Sequence, residues 1–62
     1  MESWKEDMKK ELKRKIAVLT EAEAIIQNVQ KYLPKDKQFG TKMAIATIQG
    51  MIEGYQKVLN SL

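Results

Sequence analysis

Thirty-two consecutive residues, Glu2 to Leu33, contain neither glycine nor proline, and the only proline of the chain stands directly after them at position 34. That arrangement constrains the fold more than any other feature, because nothing in the stretch interrupts a helix and Pro34 disfavours helical geometry at Leu33. Within it apolar residues recur at helical spacing as Trp4, Met8, Leu12, Ile16, Leu19, Ile26 and Leu33, with Val18, Ala22, Ile25, Val29 and Tyr32 beside them. Ser3 and Glu6 have the spacing of a capping box. The sequence therefore predicts one long helix over about 3–33. A second such spacing, Thr20 to Glu23, offers an alternative start, but the apolar stripe passes through it in phase.

After a turn over 34–40, Thr41 is the expected N-cap of a second helix over about 41–61. Pro34 could alternatively open a short helical turn leading into that helix. Phe39 is expected to fold back over the open end of the core. Ile45, Ile48, Ile52, Tyr55, Leu59 and Leu62 then repeat at alternating spacings of three and four, the a/d pattern of a coiled-coil seam. Ala44, Met51 and Val58 widen it. The predicted fold is an all-α antiparallel helical hairpin whose seam joins Leu19, Ile26 and Leu33 to those six residues.

A chain of 62 residues is one domain, 1–62, and buries only about 60% of the surface that its unfolded form exposes. Small domains usually compensate with disulfides, a metal or self-association. Cysteine and histidine are both absent, which removes disulfides and the common metal ligands, so no metal or cofactor is expected. The apolar stripes are also wider than a two-helix contact covers. A homodimer, two hairpins forming a four-helix bundle, is the expected solution.

Two asymmetries suggest interaction surfaces. If the second helix starts near Thr41, residues 1–12 project beyond it, because both helices rise by about 1.5 Å per residue. This segment carries Trp4, Met8 and Leu12 on one face and Lys5, Lys9, Lys13 and Arg14 on others, a candidate site for a partner protein by helix-in-groove recognition. The second asymmetry is one of charge: twelve charged residues fall in 1–23 and only Lys42, Glu53 and Lys57 in 41–62. The weakly charged helix includes Gly50 and Gly54, each costing about 1 kcal/mol of helix propensity relative to alanine. With Met43 and Ala46 they form a small-residue face, a candidate second interface.

Catalytic chemistry is not legible here. Ser3, Thr20, Thr41, Thr47 and Ser61 have no histidine to activate them, and Gly40 with Lys42 does not make a phosphate loop. A non-enzymatic protein that acts by protein–protein interaction, as a regulator, inhibitor or antagonist, is the first expectation. The net charge of +3 from eleven basic and eight acidic residues admits a second, nucleic-acid binding by a basic dimer. The segments that would carry it are Lys9 to Lys15 and the group Lys31, Lys35, Lys37 and Lys42, although Glu6 with Lys10 and Glu11 with Lys15 are spaced as i, i+4 ion pairs. A structural or assembly role is the third. The charged N-terminus lacks a signal sequence, and no apolar run reaches the roughly 18 residues of a membrane span, so a cytoplasmic location is expected. Ten lysines to one arginine, with six isoleucines, suggest an AT-rich bacterial or phage source.

Overall fold

The computed structural model describes residues 3–62; Met1 and Glu2 lie outside the described residues, with the part of the expected domain that falls on them. Helix α1 runs from Ser3 to Lys31 without a break. Ser3 is already helical, one position inside the boundary expected for a capping serine. Thr20 does not start a new helix. Its hydroxyl donates to the Ile16 carbonyl at 2.8 Å, the back-bond that a threonine makes inside a helix.

The end of α1 tightens before Pro34. The Tyr32 and Leu33 N–H groups donate to the carbonyls three residues back, Val29 at 3.0 Å and Gln30 at 3.1 Å, and the helix stops two residues short of the predicted Leu33. Pro34 is extended, with φ −58° and ψ 153°, and precedes a single 3-10 turn over Lys35–Lys37. The turn is thus a short helical piece behind the proline. Helix α2 follows at Phe39–Ser61.

Helix α2 starts two residues earlier than Thr41, and its N-cap is Gln38. Two expectations change as a result. Thr41 sits in the first turn, where its hydroxyl lies 2.7 Å from Gln30 Oε1 and 2.9 Å from the Gln38 carbonyl and donates its one proton to either. Phe39 does not cap the core: it is 75% exposed. Two residues from the half-buried Thr41, at 100° per residue, it points to the opposite side of α2.

What holds the turn is Gln38, a residue without any pattern to announce it. Its amide Nε2 donates to the Leu33 carbonyl at 3.0 Å, just past the end of α1, and at 3.3 Å to the Gln30 carbonyl, which also accepts from the Leu33 N–H. One side chain thereby closes α1 while its own backbone opens α2.

The helices pack along each other as an antiparallel hairpin. Its thinness is the main result. The molecule measures 54 × 15 × 11 Å with a radius of gyration of 15.0 Å, against about 11 Å for a compact domain of this length. Leu12 alone among the described residues is buried, at 6% exposure. All nine predicted seam residues, Leu19, Ile26 and Leu33 with Ile45, Ile48, Ile52, Tyr55, Leu59 and Leu62, are half-buried. They meet across the hairpin, but two helices cannot enclose them. No helix among the described residues is long and apolar enough to cross a membrane.

Candidate interaction surface

Both helices carry a second apolar row about a quarter turn from the seam. On α1 it contains Val18, Ile25 and Val29, spaced seven and four, all exposed, with Ile25 at 58%. On α2 it contains Met51 and Val58, spaced seven and also exposed. At 100° per residue each row is rotated from its own seam in the same sense, and in antiparallel helices equal rotations bring the rows to the same side of the hairpin. A shallow cleft between the helices confirms the placement, since Val18 and Leu19 line it together with Met51 and Tyr55, with Arg14 and Lys15 at its rim.

The opposite side is polar. It presents Lys9, Lys13, Thr20, Gln27 and Lys31 from α1 and Lys42, Gln49 and Gln56 from α2. Gln49 Nε2 donates across it to Glu23 Oε2 at 2.7 Å. The hairpin is therefore a plate with one apolar and one polar face. The apolar face is continuous with the seam, so hydrophobic burial stops partway through a single surface.

The cross-helix bonds fix the register. Glu23 with Gln49, and Gln30 with Thr41, pair residues whose numbers add to 72 and 71, which places Leu62 opposite residues 9–10. The segment without a neighbour in its own chain is thus shorter than the expected 1–12. Leu12 is under cover, and among the described residues the exposed apolar ones beyond α2 are Trp4, at 56%, and Met8. Both lie on the apolar side. Lys5 Nζ stands 5.8 Å from the Trp4 ring centroid, within cation–π distance.

The basic residues of this segment are only partly committed. Lys9 reaches Glu6 at 4.0 Å, an i, i+3 pair in place of Glu6 with Lys10. Glu11 binds Arg14 through two hydrogen bonds, Nη2 to Oε1 at 2.6 Å and Nε to Oε2 at 3.2 Å, and Lys15 approaches it to 3.8 Å. The Arg14 hydrogen bond lowers the Glu11 pKa against an opposing desolvation, with further lowering from the charges of Arg14 and Lys15, and Glu11 in turn raises that of Arg14. Lys10 and Lys13 make no ion pair among the described residues, and neither do Lys31, Lys35, Lys37 and Lys42 near the turn.

The small-residue positions Met43, Ala46, Gly50 and Gly54 are all exposed on α2. A Cβ added at Gly50 or Gly54 would meet nothing within 4 Å, so packing inside the chain does not call for glycine at either position. The residues that sequence reasoning passed over as a group are Val18, Ile25 and Val29. Their signal was their own spacing, hidden because each was taken as a widening of the main stripe. Comparison with protein-family models, with characterised proteins and with solved structures finds no match to this chain.

Proposed function

We propose that this protein acts by protein–protein interaction, self-associating through the apolar face of the hairpin and engaging a partner protein as a small regulator, inhibitor or antagonist. The single observation that carries the reading is the two-faced plate, in which exposed apolar rows of both helices share one side while a single one of the described residues is buried. A face of this kind costs free energy in water, and covering it is the main source of stability open to a chain so thin. Two hairpins laid face to face make a four-helix bundle, whose core would contain the seam and the second rows together. In that assembly the polar faces point outward. They carry Lys9 and Lys13, which with Lys5 and Arg14 of the N-terminal segment are the residues proposed to meet the partner.

The test separates the two parts of the reading. Solution mass over a range of concentrations reports self-association, and a chain that stays monomeric to millimolar concentration refutes it. Binding to the source cell's proteins is then compared between the wild type and a variant with Lys9 and Lys13 both changed to alanine. A partner retained equally well by both removes those residues from the partner site.

A second reading, binding of nucleic acid, is favoured by one observation, the four exposed lysines Lys31, Lys35, Lys37 and Lys42 gathered at the turn without an ion pair among the described residues. Phosphate contacts by lysine release counterions, so affinity for duplex or single-stranded DNA falls steeply with salt. No binding at low salt dismisses this reading.

A further inference from the structure

The apolar face has a definite length and definite ends, and they say how a second copy fits it. Continued along α1 and one residue past its end at alternating spacings of four and three, the row comprises Trp4, Met8, Glu11, Lys15, Val18, Ala22, Ile25, Val29 and Tyr32, of which Glu11 and Ala22 are half-buried and the rest exposed. Its midpoint is Val18, one residue from the middle of the Ser3–Lys31 helix. One end is the segment that α2 does not reach, which carries the exposed Trp4 and Met8. The other end is the turn, where Tyr32 is 83% exposed. Two unsatisfied ends at equal distances from a centre make a self-complementary patch, the requirement of a two-fold interface.

We infer, resting on the self-association proposed above, that two copies pack face to face with α1 antiparallel across α1 about a two-fold axis at Val18. In this pairing Trp4 of one copy lies against Tyr32 of the other, Met8 against Val29, Lys15 against Ala22, and Val18 against itself. The alternative two-fold, with α1 across α2 of the second copy, brings both N-terminal segments to the same end and leaves Trp4 and Met8 without cover. That difference selects the first arrangement.

The area is right for a second copy. The chain exposes 4909 Å², about 800 Å² more than the roughly 4,100 Å² that a compact 7.2 kDa monomer exposes. A standard interface removes about 800 Å² from each partner. Glu11 and Lys15 interrupt the apolar row, but Arg14 at 2.6 Å and Lys15 at 3.8 Å neutralise the carboxylate within the chain, so it brings no uncompensated anion to the interface. The Lys15 methylenes cover Ala22 while its ammonium stays at the rim.

The chain has no cysteine, so single cysteines report the pairing directly. Facing helices stand about 8–10 Å apart and diagonal ones about 14 Å in a square bundle, and a disulfide needs Cα atoms within about 7 Å. The expected result is that the wild type sediments as a dimer, that Val18→Cys forms a disulfide with itself on mild oxidation, and that a chain carrying Met8→Cys with Val29→Cys cross-links to a second copy. Lys13→Cys, on the polar face, stays reduced at the same concentration. A dimer in which Val18→Cys does not close, while separately made Val18→Cys and Gly54→Cys chains join on mixing, overturns this pairing and leaves self-association standing. A wild type that remains monomeric overturns both.

Discussion

Changing Ile25 to alanine tests whether the open face is an interface, because Ile25 has much to lose in an assembly and little in the single chain. It is 58% exposed, so more than half of its side chain is still in water within the hairpin. The substitution removes three carbons, worth about 2.4 kcal/mol if each is fully buried, and the exposed share of that is about 1.4 kcal/mol per chain. A two-fold interface buries the residue twice. The dimer should therefore lose about 2.5–3 kcal/mol, a rise of roughly 70- to 150-fold in its dissociation constant. Sedimentation equilibrium of wild type and variant over the same concentrations measures this, with circular dichroism at high concentration confirming that the helices persist. Leu12→Ala is the contrasting control. Leu12 is buried within the chain, and its loss should cost about 2–3 kcal/mol, the lower part of the range for buried leucines because so thin a site can collapse. If Ile25→Ala leaves the dissociation constant within about twofold, or lowers stability equally at every concentration, the open face is not where the copies meet.

Three further outcomes follow from the geometry. Replacing Gln38 with leucine removes the donor to the Gln30 and Leu33 carbonyls and should lower stability by about 1–2 kcal/mol in thermal or denaturant melts, whereas a surface glutamine such as Gln27 should tolerate the change within about 0.5 kcal/mol. The pKa of Glu11 is lowered by the Arg14 hydrogen bond, so the interaction is present above the ordinary carboxylate range and is lost as pH falls through the depressed value; an NMR titration should show the Glu11 midpoint rising in Arg14→Ala. Gly50→Ala should raise stability by up to about 1 kcal/mol, because the new Cβ meets nothing within 4 Å and alanine is the better helix former; a loss of stability or assembly instead would mean that a second interface does pack against Gly50 and Gly54.

Much of the fold was legible because it rests on local chemistry. The breaker-free run ahead of Pro34 and the alternating spacing from Ile45 to Leu62 specify two helices and their facing stripes, since helical periodicity is a property of the chain alone. The nine predicted seam residues are half-buried along the hairpin. Boundaries and the turn were less legible. Gln38 acts through a side chain reaching back five and eight residues, a contact that exists only after the chain has turned. Phe39 reads as core by composition, yet its phase is set by where α2 begins, and a start two residues before Thr41 turns it outward.

The candidate surface divides in the same way. Trp4 and Met8 were visible as an apolar stripe on a segment longer than its mate, a matter of counting residues. The placement of Leu12 under cover required the register, which follows from where the turn closes and not from either helix. By itself the sequence determined two amphipathic helices with stripes too wide for each other, because side-chain direction along a helix is fixed by its 100° step. The tertiary structure alone decided that the surplus rows of both helices fall on one side, because the side on which a row emerges depends on the sense of its rotation from the seam and on how the two helices are paired.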